Sequence, residues 1–129
     1  MSATISPCLI YEDAHAAIDW LERALGARRG EVHEAGGRVM HSEVWFGDAC
    51  VMVSSTPEPG SDSVDWGPGA ACVYVVIDDP DERFARATAA GAEVVRELTD
   101  TDYGSRDFGV KDADGNLWNF GTYRPQPPA

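Results

Sequence analysis

Two segments of the chain repeat hydrophobic residues at helical spacing, and each is bounded by residues that favour helix ends. The first helix is predicted to begin after Asp13, an N-cap residue type, and to end at Gly26. The second is predicted to begin after Asp79, with Pro80 in its first turn, and to end at Gly91. The pattern therefore predicts two helices of similar length.

Segments rich in β-branched and aromatic residues predict strands between and after these helices. A hairpin is predicted to turn at Gly47-Asp48, and a second is predicted to turn at the sequence DADG, residues 112–115. The predicted strand segments are 39–55, 71–79, 93–98 and 105–123.

The predicted order of elements is βαβββ, and it occurs twice along the chain. The first module spans residues 4–54 and the second spans residues 70–123. A linker rich in Pro, Gly and Ser, residues 55–69, separates them, and residues 124–129 form a tail. This repeat predicts an α+β protein in which each helix covers one face of a curved, mostly antiparallel sheet. The free faces of the two sheets are predicted to form a cleft.

Length and charge exclude several classes of function. The 129 residues suffice for one domain, and the net charge is -12. Nucleic acids and anionic membranes both attract positive charge, so we expect neither as a partner. No apolar run approaches the ~20 residues that span a bilayer, and the N-terminus lacks the pattern of a secretory signal. We therefore expect a cytoplasmic protein.

The three cysteines, Cys8, Cys50 and Cys72, are an odd number with wide spacing. This spacing fits neither a disulfide framework nor a CxxC metal site. All three lie in apolar, strand-like segments, so we expect them to be buried as small hydrophobic side chains. Their free thiols would suit a reducing compartment.

Three stretches, taken in order, resemble the vicinal oxygen chelate superfamily. That superfamily includes glyoxalase I, extradiol dioxygenases and the bleomycin resistance proteins. The resemblance covers residues ~4 to 123 and implies the duplicated βαβββ fold. The stretches are YEDAHAAIDWLERALGA at 11–27, HSEVWFGDACVMVS at 41–54 and YGSRDFGVKDADGNLWNF at 103–120.

In metal-using members of this superfamily, four side chains from four strands bind a divalent cation, and they are usually His and Glu. The resemblance places Ser6, Met52, Cys72 and Asn119 at these positions. An amide supplies no anionic charge, and Ser and Met are poor companions for a Cys ligand. We therefore expect no metal and no cofactor. Asn119 is then either satisfied by neighbouring backbone or available to hydrogen-bond a ligand.

Strand geometry predicts which side chains line the cleft. If Gly47-Asp48 is a two-residue turn, Glu43 lies opposite Met52, and His41 and Trp45 share their face. The resemblance makes the Met52 face the cleft. In the closing hairpin, a four-residue turn would place Phe108 opposite Asn119 and Arg106 opposite Gly121. The predicted ligand-binding residues are Trp45, Met52, Cys72, Tyr74, Tyr103, Arg106, Phe108 and Asn119.

Three hypotheses for function follow. The first is a metal-free protein that resembles the bleomycin resistance branch and binds an aromatic or cationic small molecule through Trp45, Tyr74 and Glu43. The second is a lyase or isomerase of the glyoxalase kind, with His41 and Glu43 as catalytic acid and base or with an atypical metal site. The third is a domain that binds a partner protein.

The resemblance also implies a homodimer, because in the drug-binding members two chains pair and each cleft is shared. The residues alone leave open whether the cleft closes within one chain or between two. Trp66 lies in the linker, where an exposed aromatic side chain can serve as a lid or as an interface anchor.

Overall fold

The structure of the protein is a computed structural model, and it describes residues 6–58, 68–69 and 71–125. The two predicted βαβββ modules are both present. Trp66, most of the linker and the end of the tail lie outside the described residues, so the predictions made for Trp66 remain predictions.

The first module contains one helix and four strands, in the predicted order. Asp13 is the N-cap of the helix and its carboxylate accepts a hydrogen bond from the Ala16 amide at 3.0 Å. Gly26 ends the helix in the left-handed region, with φ 77°, as predicted. The elements are β1 (Cys8–Tyr11), α1 (Ala14–Leu25), β2 (Arg28–Ala35), β3 (Arg38–Phe46) and β4 (Ala49–Ser55).

The second module repeats this order. Asp79 is the N-cap of its helix and Pro80 is the first helical residue, both as predicted. The helix ends at Ala89, and Gly91 follows with φ 81°. The elements are β5 (Cys72–Val76), α2 (Pro80–Ala89), β6 (Glu93–Asp100), β7 (Arg106–Lys111) and β8 (Leu117–Gly121).

Each module forms one four-stranded sheet. The N-sheet has the strand order β1-β4-β3-β2, and the C-sheet has the equivalent order β5-β8-β7-β6. The first and last strands of each module pair in parallel, and the other neighbours pair antiparallel. The predicted α+β class and tandem modules are therefore confirmed.

The helix-side faces of the two sheets share one hydrophobic core. Phe46 of the N-sheet packs against Trp118 and Phe120 of the C-sheet, with ring centroids 5.7 and 6.3 Å apart. Trp118 and Phe120 are almost completely buried, as are Leu21 of α1 and Ala87 of α2. Because the two sheets meet through these faces, the opposite face of each sheet points away from the common core.

Two arginines of α2 also link the modules. Arg83 donates to the Leu25 carbonyl oxygen at 3.2 Å, and Arg86 donates to the carbonyl oxygens of Arg23 and Glu22 at 3.2 and 3.1 Å. These carbonyls belong to the last turn of α1, where a helix runs out of internal donors, although the Glu22 oxygen also accepts from the Gly26 amide at 3.2 Å. The guanidinium groups of α2 therefore cap the C-terminal end of α1, where their positive charge interacts favourably with the helix dipole.

None of the described helices is both long enough and apolar enough to cross a membrane.

Candidate functional site

The open face of the N-sheet is the face opposite the helix. Glu43 pairs with Met52 and Trp45 with Cys50, which confirms the predicted two-residue turn and its register. The buried neighbours Val44 and Val51 alternate with these residues and face the core. The residues of this face include Cys8, Arg28, His33, His41, Glu43, Trp45, Cys50 and Met52.

Trp45 lies against the neighbouring strand β2. A Cβ atom at Gly30 would be only 2.9 Å from Trp45 Nε1, so any other residue at position 30 would collide with the indole. Trp45, Gly30 and Arg28 line a surface cavity of about 390 Å³. The half-buried indole therefore lies against the sheet beside this cavity.

The open face of the C-sheet carries Tyr74 beside Asn119, which are partners in the parallel ladder. The Asn119 side-chain amide donates to Cys72 Sγ at 3.1 Å, so its hydrogen bond goes to a neighbouring side chain and not to backbone. The Tyr74 hydroxyl donates to the Tyr123 carbonyl oxygen at 2.7 Å. Burial, the larger effect, and the nearby charge of Asp107 raise the pKa of Tyr74, so its phenol stays neutral at physiological pH.

The predicted register of the closing hairpin is wrong by one residue. Gly109, not Phe108, lies opposite Asn119, and Phe108 pairs with Phe120 in the core. The reason lies in the turn, which has five residues instead of four. The Asp112 carboxylate accepts hydrogen bonds from the amides of Asp114 and Asn116, and this wraps Asn116 into the loop.

Like Phe108, Arg106 lies on the helix side of the C-sheet and not on its open face. Its guanidinium donates to the Asp81 carboxylate of α2 at 3.0 and 3.2 Å and pairs with Asp100 at 3.0 Å. The assignment of both Phe108 and Arg106 to the cleft is therefore wrong, because a shift of one residue moves a strand's side chains to the other face.

The same shift places Asp107 on the open face, where the sequence had not predicted a functional residue. Asp107 is 4% exposed and accepts hydrogen bonds from the hydroxyls of Ser105 and, at 3.3 Å, Tyr103. Asp107 Oδ2 also forms an ion pair with Arg96 Nη2 at 3.8 Å. A buried carboxylate thus lies on the open sheet surface, in contact with hydroxyl groups and one cation.

Glycines make room for these side chains. A Cβ atom at Gly121 would overlap Asp107 Oδ1 and lie 2.7 Å from the Tyr74 hydroxyl, and one at Gly109 would lie 2.6 Å from Asn119 Oδ1. Each side chain can therefore lie against the sheet instead of standing above it. Glycine inside a predicted strand marks such close approaches, and this was the one signal in the sequence that pointed to them.

Tyr103 was predicted to be a ligand-binding residue, and that function remains a prediction. Its segment lies in the loop before β7, which begins only at Arg106. The ring is 62% exposed and packs edge-on against Tyr123, with centroids 5.9 Å apart.

The cysteines are not buried as predicted. Cys8 and Cys72 are exposed and Cys50 is half-buried, and all three are free thiols. The prediction failed because strand periodicity places them on the open faces, which no helix covers. Burial, followed by the charge of Glu43, raises the pKa of the Cys50 thiol, so it remains protonated at neutral pH.

The four positions that the resemblance assigns to metal ligands hold side chains that do not fit a metal. Ser6 precedes the N-cap Asp13 by as many residues as Cys72 precedes Asp79, so the two occupy equivalent places in the repeat. With Met52 and Asn119, they offer a hydroxyl, a thiol, a thioether and an amide, and none is a carboxylate or an imidazole. Within residues 6–58, 68–69 and 71–125, no group of three or more His, Cys, Asp or Glu side chains is placed to hold a metal.

The structure brings the predicted site residues together in two groups. His41, Glu43, Trp45 and Met52 share the open face of the N-sheet, while Cys72, Tyr74 and Asn119 share that of the C-sheet. Both faces point away from the shared core, and among the described residues no hydrogen bond, ion pair or ring contact joins the two groups.

Comparisons with known proteins agree with this architecture. Residues 4–120 match the profile of the Glyoxalase/Bleomycin resistance protein/Dioxygenase superfamily. An uncharacterised protein of Mycobacterium bovis is 32% identical over 123 residues, which cover 91% of this chain and 81% of that protein.

Two solved structures illustrate the likeness. TioX from Micromonospora sp. ML1 is 38% identical, with a TM-score of 0.81, and the match covers 93% of this chain and 98% of TioX. A lactoylglutathione lyase from Agrobacterium tumefaciens shares the fold at 19% identity, with a TM-score of 0.68 over 94% of this chain and 93% of that one. The duplicated sheets, the profile match and the Mycobacterium relative identify the chain as a member of the Glyoxalase/Bleomycin resistance protein/Dioxygenase superfamily.

Proposed function

We propose that the protein is a metal-free binding protein that sequesters a planar, cationic aromatic compound. The proposal rests mainly on the four family metal positions, which hold Ser6, Met52, Cys72 and Asn119 and offer no anionic oxygen or imidazole ligand. A site that has lost its metal ligands but kept open, partly aromatic faces favours binding over metal-assisted catalysis. Sequestration of a toxic compound in the cytoplasm would make it a resistance protein.

Shape and charge support this class of ligand. Trp45 lies against Gly30 and Asn119 lies against Gly109, so side chains on both open faces stay close to the sheet and leave space above them for a flat ring system. Glu43 on one face and the net charge of -12 favour a cation. A ring stacked on an indole gains dispersion and, when cationic, the attraction of the π face.

The proposed cleft lies between two copies of the chain. The open faces point away from the core of one chain, so a homodimer would bring the N-sheet face of one copy against the C-sheet face of its partner. A twofold axis then creates two identical clefts. Each cleft would combine Trp45 and Met52 of one copy with Tyr74 and Asn119 of the other.

Mixing two variants tests this arrangement. Trp45→Ala and Asn119→Ala are each expected to weaken the binding of ethidium, a planar cationic probe, roughly tenfold or more. After co-refolding in equal amounts, heterodimers carry one intact cleft, so about a quarter of all clefts should recover full affinity. Fluorescence titration measures this fraction. No recovery from the mixture, or full affinity in the Trp45→Ala dimer, would contradict the shared cleft.

Metal analysis tests the first part of the proposal. Untagged protein purified without chelator is expected to carry no stoichiometric metal after gel filtration, since Ser6, Met52, Cys72 and Asn119 provide no tight ligand set. Elemental analysis by plasma mass spectrometry checks this, and the double variant Met52→Glu, Asn119→Glu is the matched control that restores two carboxylates. One equivalent of zinc, nickel or manganese in the natural chain that is lost in Cys72→Ala would refute the proposal, because that loss places the ion at these four positions.

A glyoxalase-like lyase or isomerase is the second candidate. His41 Nε2 lies 3.6 Å from Glu43 Oε2 on the open face of the N-sheet, so an acid and a base are within reach of one another. This candidate requires turnover of methylglyoxal with glutathione that His41→Ala abolishes. If the natural chain shows no turnover, or if His41→Ala turns over substrate at the same rate, the lyase or isomerase function is excluded.

A further inference from the structure

The open face of the N-sheet carries a second feature that the proposed binding function does not use. His33 on β2 and His41 on β3 are direct partners across the antiparallel ladder. Their rings are stacked, with centroids 5.8 Å apart and planes inclined by 29°. β2 is the edge strand of the sheet, and both side chains are open to solvent, at 61% and 43% exposure.

We propose that His33 and His41 form a two-histidine site for a divalent transition-metal ion, such as Zn²⁺, Ni²⁺ or Cu²⁺, whose remaining ligands are water. Imidazole is a preferred ligand for these ions. The site is separate from the family's metal positions and does not depend on the proposed function.

The ring spacing fits a shared ion. With metal–nitrogen bonds of roughly 2.0–2.1 Å and a tetrahedral angle, two coordinating imidazole rings have centres about 5 Å apart. The observed centroid distance of 5.8 Å is close to this value, but the rings are stacked, so both must turn to point a nitrogen lone pair at one ion. Rotation of two exposed rings about their side-chain bonds can close this gap without moving the strands.

Two carboxylates favour a cation at this place. Glu31 Oε2 lies 3.5 Å from His33 Nε2, and Glu43 Oε2 lies 3.6 Å from His41 Nε2. Each carboxylate can accept a hydrogen bond from an imidazole or from a metal-bound water, and both add negative charge beside the pair. No described Lys or Arg side chain forms an ion pair with Glu31 or Glu43 within 4 Å, so their charge is not neutralised there.

The local backbone fixes the pairing. The ladder between β2 and β3 is irregular on both sides of His33, between Arg29 and Val32 and again between His33 and Glu34. Bulges of this kind turn side chains from one face to the other. Here they leave His33 on the open face next to His41, while Val32 pairs with Ser42 toward the core.

Calorimetric titration of the untagged chain with NiCl₂ or ZnSO₄ at neutral pH tests this site. We expect saturable binding of one ion per chain, weakened about tenfold or more by either His33→Gln or His41→Gln, because each removes half of the protein ligands. His15→Gln is the matched control, since His15 lies on α1 against Glu34, and it should bind as the natural chain does. On Zn²⁺ addition, the ring proton NMR signals of His33 and His41 should shift while those of His15 do not.

Absence of saturable binding, unchanged affinity in both pair variants or an equal loss in His15→Gln would overturn the site. Ethidium binding measured with chelator present separates the two proposals. If ethidium binding persists in His33→Gln, the aromatic cleft is supported whatever the metal titration shows. If the natural chain does not bind ethidium, the metal titration still tests the two-histidine site.

Discussion

Replacing Asp112 with Ala is expected to lower the free energy of unfolding by about 3–5 kcal/mol. The Asp112 carboxylate is buried and accepts hydrogen bonds from the Tyr11 hydroxyl at 2.6 Å and from Trp118 Nε1 at 3.0 Å. It also accepts from the backbone and side-chain amides of Asn116. Because Tyr11 belongs to the first module, removing the carboxylate leaves buried donors without partners in both modules.

Urea unfolding followed by tryptophan fluorescence measures this loss. Tyr11→Phe removes one donor and no carboxylate, so we expect it to cost only about 1–2 kcal/mol. Asp102→Ala, at an exposed position, is the control for loss of an acidic residue and should change stability by less than about 0.5 kcal/mol. Equal stability of the Asp112→Ala and Asp102→Ala variants would contradict a link between the modules at this carboxylate.

Replacing Gly121 with Ala is expected to destabilise the protein by about 2–3 kcal/mol, the cost of forcing atoms into a filled space. The new methyl group would overlap Asp107 Oδ1, and Asp107 is held in place by Ser105. Gly109→Ala is the matched comparison, because the clashing Asn119 side chain is only half-buried and can rotate away. We expect that variant to lose less stability.

A double-mutant cycle with Asp107→Ala identifies the clash. If Gly121 is required for the Asp107 carboxylate, the double variant should lose at least about 1 kcal/mol less than the sum of the single variants. Thermal or urea unfolding supplies the four free energies. Additive losses would show that Gly121 is required for a reason other than the Asp107 carboxylate, such as the backbone conformation at the end of β8.

Local patterns were sufficient for the elements and for the first hairpin. The Asp13 carboxylate caps the first helix, Gly26 ends it in the left-handed region, and Pro80 begins the second helix with a fixed φ; each effect acts within a few residues. The turn at Gly47 set the register of β3 and β4 because a two-residue connection leaves only one pairing. From that register alone, His41, Glu43, Trp45 and Met52 were correctly placed on one face.

The closing hairpin shows where local reasoning failed. The sequence DADG suggests a four-residue turn, but Asp112 has tertiary partners, Tyr11 and Trp118, that hold its carboxylate inward. That carboxylate then organises a five-residue loop, and the register moves by one. Phe108 enters the core and Asp107 takes its place on the open face, an outcome that depends on a contact 101 residues away in sequence.

The sequence by itself determined the duplicated βαβββ order, the helix ends, the acidic charge and the absence of His or Glu from the four positions that the resemblance assigns to metal ligands, since each follows from residue identities and local spacing without any contact between elements. Only the tertiary structure decided that the helix-side faces of both sheets share one core, so that the open faces point apart. It alone paired His33 with His41, exposed Cys8 and Cys72, and laid Trp45 over Gly30. The physical reason is that burial is decided between elements, by which faces exclude water together, and no periodicity within one strand contains that information.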